Sequence, residues 1–296
     1  MALTSIQEFH RPESDGAVIE LLARYEGRAM IVAGGTFLHG LSARGLLTGT
    51  EALIDIGGTG LDALVLRDQG LDIGATVRFA TLKAAAEVHS LPWLGAVADA
   101  LEYPPVQVLN AATVGGSVAA SCPYFDLPVS FLALDGRVRI RSAAGVRELP
   151  LADFFTGLFQ TALAGGEFVA GVHMPAVAGR VASAFTKLET NANDLAILNV
   201  AASVAVDAAG LCREARVYVG GGVGEVPVRA RSAEAALRGS TLTDEVLQRA
   251  GEAARADVDP IADHRASAEY RRAMTAVMVR RTLGRARDRL REGRSA

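Results

Sequence analysis

Two glycine-hydroxyl stretches, far apart in the chain, are the residues best suited to chemistry. The first is Ala33-Gly34-Gly35-Thr36, which follows an apolar β-like run at 29–33. The second is Thr113-Val114-Gly115-Gly116-Ser117, within NAATVGGSVAASCPYFDLPVSFLAL at 110–134. Adjacent glycines let the backbone take φ > 0 and approach a ligand with no Cβ in the way. Successive N–H groups in such a turn form a concave cluster that suits a phosphate. One GG after a strand is ordinarily just a turn. Two with the same order of residues point to one diphosphate gripped from two sides. Asp126, a little downstream, is placed to accept hydrogen bonds from a sugar or polyol. From spacing alone it reads first as the cap of the helix beginning beside it, and a carboxylate has lone pairs enough for both roles. Lys187, one of only two lysines with Lys83, reads as a surface residue on a strand. Asp194 reads as a turn residue and Cys122 as a small buried filler.

Other chemistries are excluded by pattern. No G-x-x-x-x-G-K-[ST] occurs, so a P-loop is out. Gly57-Gly58-Thr59-Gly60 and the GGGVG at 220–224 lack the G-x-G-x-x-G spacing, which disfavours a Rossmann dinucleotide fold. Cys122 and Cys212 are isolated, and the five histidines form no i,i+4 pair, so no zinc or iron–sulfur site is expected within this chain. Half of the 296 residues are hydrophobic, and 30 basic residues face 33 acidic ones. A net charge of −3 gives no field for nucleic acid. The N-terminus has no apolar h-region, and the longest apolar stretch, 195–209, is interrupted and too short to span a bilayer. A soluble cytoplasmic protein is expected, with no integral membrane segment.

The elements that must position these residues fall into three units. In 1–57, a helix at 17–25 capped by Ser14-Asp15-Gly16, a strand at 29–33, a helix to about 46 and a strand at 53–56 give a β/α pattern. In 58–177, hairpins at 64–73 and 137–149 flank helices at 82–88, capped by Thr81, and at 93–101. The focal stretch follows these helices, with a helix from Asp126 to about 134, and a further strand runs over 167–174. In 178–296, strands at 182–188, 196–206 and 214–220 precede helices at 233–237, 243–255 and 267–291. The last helix carries Tyr270, Met274, Val277, Met278 and Leu283 on roughly one face. Its arginines read as a solvated face or a surface for a partner subunit.

Taken together, the motifs resemble a known family: the FAD-binding medium subunits of the molybdenum hydroxylases, including carbon monoxide dehydrogenase and xanthine dehydrogenase. The likeness rests on FHRPES near the N-terminus, AGGT at 33–36, LIDI at 53–56, LDIGATVRFATL at 71–82 and NAATVGGSVAASCPYFDLP at 110–128. It continues through LALDGRVRIRS at 132–142, LPLADFF at 149–155, FTKLETNANDLA at 185–196, VPVRARSAEAAL at 226–237 and RASAEYRRAM at 265–274. The resemblance implies an α+β fold of the p-cresol methylhydroxylase (PCMH) type, an FAD-binding pair of subdomains followed by a C-terminal sheet with helices. It implies that Ala33, Gly34, Gly35 and Thr36, with Phe37 and Leu38 after them, form the first pyrophosphate loop. Asn110, Thr113, Val114, Gly115, Gly116 and Ser117 belong to the second. Asp126 matches the residue for the ribityl hydroxyls, and Lys187, Asp194 and Leu195 match the strand and turn beside the isoalloxazine.

The family also implies partners: a molybdopterin-binding large subunit and a 2Fe–2S small subunit, in a dimer of heterotrimers. Electrons would pass through the clusters to FAD and on to an external acceptor, with no catalytic side chain required here. Three residues depart from the pattern. Phe37 replaces a polar residue, Leu109 stands where Arg commonly precedes Asn110, and Leu195 stands where related carbon monoxide dehydrogenases have an aromatic. Three other readings stay open: a carbon monoxide dehydrogenase medium subunit, a scaffold with a degraded flavin site, and a stand-alone flavoenzyme of the related reductase group.

Overall fold

The computed structural model describes residues 6–43, 45, 47–192 and 194–292. Its first sheet has three parallel strands, β1 (Glu8–His10), β2 (Ala29–Val32) and β3 (Ala52–Asp55), in the order β1-β3-β2. The sequence reading missed β1, which is three residues long and leaves Phe9 62% exposed, so it carries no alternation. Helix α1 (Asp15–Tyr25) starts at Ser14, whose hydroxyl accepts from the Ala17 N–H at 3.3 Å. It stops where Glu26 turns left-handed and Gly27 follows at φ +86°. Strand β2 (Ala29–Val32) leads through the first glycine loop into α2 (Leu38–Ala43), which begins the crossover to β3 (Ala52–Asp55) that parallel strands require. The loop therefore sits at the carboxyl end of a parallel strand, where open sheets receive ligands. The expected helix end near residue 46 lies outside the described residues.

The second sheet is antiparallel. Strands β4 (Leu64–Arg67) and β5 (Gly70–Gly74) form the first predicted hairpin. Helix α3 (Phe79–Ala84) begins before Thr81, so Thr81 is no cap, and extended Ala85 separates it from α4 (Ala86–Ser90). Three further short helices follow, α5 (Gly95–Ala100), α6 (Val106–Ala111) and α7 (Val114–Ala119), and then α8 (Asp126–Ala133). Strands β6 (Arg137–Ser142) and β7 (Gly145–Pro150) make the second hairpin. After α9 (Leu151–Phe154) and the small ribbon of β8 (Phe155–Gly157) and β9 (Gln160–Thr161), strand β10 (Phe168–Pro175) enters the centre of the sheet. The order is β4-β5-β10-β6-β7. A central position explains why 168–174 is an almost unbroken apolar run.

A third sheet is the meander β11 (Arg180–Leu188), β12 (Leu198–Val206), β13 (Cys212–Gly220) and β14 (Val228–Arg229). Helices α10 (Arg231–Leu237), α11 (Asp244–Ala254) and α12 (Ala268–Glu292) complete the chain. Strand β12 is buried at every residue because α8 packs on one side of it and α12 on the other. Its side chains alternate between two cores. Ala201 joins Phe185 and Tyr218 in the core of the first two sheets, while Val200, Ala202 and Val204 join the core under the C-terminal helices.

The face predicted for the last helix is rotated. Its buried residues are Arg271, Thr275, Ala276, Met278, Val279, Thr282, Leu283, Ala286 and Leu290, whereas Tyr270 is 45% exposed. Thr275 and Thr282 can lie inside because their hydroxyls donate to the carbonyls of Arg271 and Met278 one turn back. Nor is every arginine solvated. Arg271 is fully buried, and Arg285 and Arg289 both reach the buried Asp99 at 2.6 Å.

Arg271 also holds Asp263, at 2.8 Å. Burial alone would raise that carboxyl, but the Arg271 guanidinium and the N–H groups of Arg265 and Ala266 outweigh it and hold the pKa down at about 2. A carboxyl lowered on folding stabilises above its unfolded value and loses that contribution as pH falls through its folded value. Asp263→Asn should therefore lie below the wild type in denaturant stability at neutral pH, and the two curves should converge between 3.8 and about 2.

Candidate functional site

The three sheets surround a cleft of about 450 Å³. One wall is the end of β2 and the first glycine loop, so that Ala33, Gly34, Gly35, Thr36, Phe37 and Leu38 all border it. Gly35 takes φ +65°, and its carbonyl accepts from the Leu38 N–H at 3.0 Å, closing the turn. Gly34 is required by contact. A Cβ built there would fall 1.9 Å from the Ala111 carbonyl oxygen and 3.0 Å from Ala112 Cα. The first loop thus lies backbone against backbone on the start of the second, so the two motifs share one wall.

In the second loop, Thr113, Gly115, Gly116 and Ser117 border the cleft, whereas Asn110 and Val114 do not. Asn110 is exposed on α6 and the Val114 side chain is in the core. The expected left-handed turn is absent, because Gly115 and Gly116 form the first turn of α7 and neither has positive φ. The N–H groups of Val114, Gly115 and Ser117 donate to the carbonyls of Val77, Ala75 and Thr113. The Thr113 hydroxyl caps the helix by accepting from Gly116 N–H at 3.2 Å. This is a helix start packed on the end of β5, not a concave N–H cluster. Gly115 is needed for that packing, since a Cβ would lie 2.5 Å from that of Ala75. At exposed Gly116 a Cβ would meet only the Thr113 hydroxyl, leaving its outer side clear. Thr113→Ala should cost about 1 kcal/mol, read as a lower denaturation midpoint at unchanged slope.

The opposite wall brings Asp126 and Lys187 together. Asp126 opens α8, yet its side chain does not cap that helix. Its two oxygens accept from Asn199 Nδ2 at 2.8 Å and from Lys187 Nζ at 3.1 Å. Lys187 is no surface residue. Its side chain is 4% exposed, and Nζ lies 3.1 Å from Glu189 and 5.4 Å from the centre of the Tyr103 ring. The Glu189 Oε2 contact is an ion pair without hydrogen-bond geometry. Two carboxylates therefore share one ammonium in a buried place. Burial pushes the Asp126 carboxyl up, and Lys187 and Asn199 oppose that push. Asp194 and Leu195 stand at the rim, where the Asp194 carboxylate closes its turn by accepting from the Asn191 N–H at 3.3 Å.

Aromatic and apolar residues that the sequence reading passed over supply much of the remaining lining. Tyr103, Pro104, Pro105 and Val108 come from the turn before α6 and from α6 itself, while Tyr124 and Phe125 precede Asp126. The Glu-Tyr-Pro-Pro run at 102–105 was the available signal, because two prolines after an aromatic fix a rigid turn. Phe37 joins the walls. Its ring meets Phe125 edge-on at 5.1 Å and Phe159 at 5.7 Å. Leu109 packs on the first core. Two of the three departures from the family pattern, Phe37 and Leu109, thus have apolar partners here. Among the described residues, no group of three or more His, Cys, Asp and Glu could hold a metal, and no helix is long and apolar enough to cross a membrane.

Comparison with known proteins identifies the family and the fold. Residues 4–177 match the FAD binding domain in molybdopterin dehydrogenase, and residues 183–286 match the CO dehydrogenase flavoprotein C-terminal domain. The chain belongs to this family of FAD-binding medium subunits, and it is an oxidoreductase subunit of the α+β fold described above. It is 34% identical over 275 residues to the 6-hydroxypseudooxynicotine dehydrogenase complex subunit alpha of Paenarthrobacter nicotinovorans, across 92% of each chain. It is 30% identical over 285 residues to the nicotine 6-hydroxylase medium subunit of the same organism, across 96% of this chain and 98% of that one. Among solved structures, carbon monoxide dehydrogenase from Hydrogenophaga pseudoflava superposes with a TM-score of 0.89 at 30% identity, over 96% of this chain and 98% of that one.

Proposed function

We propose that this chain is the FAD-binding electron-transfer subunit of a heteromeric molybdenum-dependent hydroxylase or dehydrogenase. Its partners in this reading are a molybdopterin-binding large subunit and a 2Fe–2S small subunit, paired as a dimer of heterotrimers in the cytoplasm. The three units run over 1–57, 58–177 and 178–296, a division supported by the three separate sheets. The carrying observation is the backbone contact of Gly34 with Ala111 and Ala112, which turns two distant glycine motifs into one wall facing Asp126 and Lys187.

When bound, FAD supplies the redox chemistry, and the chain's residues bind, orient and shield it. Gly35, Thr36 and Gly116 present little side-chain bulk where a pyrophosphate would lie. Asp126, with lone pairs to spare beyond its two partners, takes the ribityl hydroxyls. Lys187 would offer the isoalloxazine an N–H donor, its charge being already shared by Asp126 and Glu189. Leu195 and Asp194, at the rim, would border the ring. The apolar seating of Phe37 and Leu109 supports an intact site over a degraded scaffold. The test is the visible spectrum of the desalted native complex. Flavin bands that elute with the protein are expected, and their absence from a complex with all partners present would overturn the reading.

A further inference from the structure

We propose that Arg271, on the last helix, and Asp263, in the turn before it, are positioning residues for the flavin, fixing the two stretches of cleft wall at Tyr124 and at Asp194-Leu195. The inference rests on the reading that this cleft holds FAD. Arg271 is fully buried and spends its guanidinium on four acceptors. Nε donates to the Ile197 carbonyl at 3.0 Å, Nη1 to those of Ile261 at 2.5 Å and Ala266 at 3.3 Å, and Nη2 to Asp263 at 2.8 Å. Ile197 is two residues beyond Leu195 on the cleft rim.

The second reach is through glycine. Gly222, at φ +78°, is sandwiched so that a Cβ would lie 3.1 Å from Arg271 Cζ and 3.3 Å from Tyr124 Cε1. Gly221 donates to the Pro123 carbonyl at 2.9 Å, directly before Tyr124, and Gly222 accepts from the Ile261 N–H at 3.0 Å. The Tyr124 hydroxyl points at Asp263 at 3.5 Å, and the Arg265 guanidinium lies 5.1 Å over its ring. This gives the glycine run at 220–222 and the RASAEYRRAM motif one shared task.

A buried ion pair of this kind is not needed for stability alone, because apolar residues of similar volume commonly serve as well. What a rigid planar fork adds is direction. It holds three carbonyls from stretches without regular structure in one arrangement.

The test uses the chain in its native complex and compares Arg271→Lys, Arg271→Met and Asp263→Asn with Leu283→Ala. Leu283 lies on the same helix in the second core and does not border the cleft. The readouts are the FAD dissociation constant, the visible spectrum and the midpoint potential of the bound flavin, with circular dichroism to establish folding. Arg271→Met and Asp263→Asn should bind FAD about ten-fold more weakly, about 1.4 kcal/mol, with a shifted spectrum and potential. Arg271→Lys should recover part of the loss. Leu283→Ala should melt earlier with wild-type flavin values. If Arg271→Met does not fold, Asp263→Asn and Arg271→Lys carry the comparison. Variants that melt early but keep wild-type flavin values make Arg271 merely structural and overturn the proposal. A wild-type complex without FAD instead removes the site reading on which the proposal stands.

Discussion

Gly34→Ala should purify without flavin and lose about 3 kcal/mol of stability, the upper end for overpacking. The added Cβ would sit 1.9 Å from the Ala111 carbonyl oxygen and 2.7 Å from its carbon. No side-chain rotation relieves that clash, because the obstacle is the backbone at the end of α6. The first loop must lift off or α6 must move, and either change separates the two glycine motifs. Gly116→Ala is the matched comparison. Its Cβ meets only the Thr113 hydroxyl, so stability should hold much better while any ligand lying against that face is displaced. Urea melts and the flavin-to-protein ratio check both. A Gly34→Ala protein with wild-type flavin content and midpoint would contradict the two-loop wall.

Lys187→Met should cost about 3–5 kcal/mol, the usual result of removing one partner from a buried ion pair. The change leaves Asp126 and Glu189 as carboxylates with no cation, in a place where the lysine side chain is 4% exposed. Burial already pushes the Asp126 carboxyl above 3.8, and without the ammonium it must climb further. The folded variant then holds a proton that the unfolded chain has released. Its deficit against the wild type should accordingly grow as pH rises above the ordinary carboxylate range and shrink on acidification. Adding Asp126→Asn should return part of the loss, because the second substitution removes the stranded charge. Chemical denaturation across a pH series reads this directly. A midpoint that matches the wild type at neutral pH would show that the pair carries no such weight.

How far the sequence could be read depended on whether a feature was local. The hairpins at 64–74 and 137–150 and the Ser14 cap are written in contiguous residues and were found with little error. The parallel strand at Glu8–His10 carries no local signal because its pairing with β3 is distant and two of its three residues are exposed. Both glycine motifs border one cleft, and Gly35 takes the positive φ that such a turn suggests, but the second motif has another geometry. At Gly115 the requirement is close approach to Ala75, not positive φ, and nothing in the local string distinguishes these. Locally Asp126 reads as a cap and Lys187 as a surface lysine, because the pair they form is 61 residues apart and Asn199 is 73 from Asp126. Tyr103, Tyr124 and Phe125 were overlooked for the same reason. The arginine-rich last helix misled by composition, since its buried face includes an arginine and two threonines that satisfy themselves through backbone carbonyls.

The long separations within the cleft set an order on its assembly. Asp126 is 61 residues from Lys187 and 73 from Asn199. A chain leaves the ribosome N-terminus first, so both glycine loops emerge well before the strands that supply Lys187 and Asn199. A nascent chain that stops before those strands therefore offers the glycine wall without the Lys187 and Asn199 partners of Asp126.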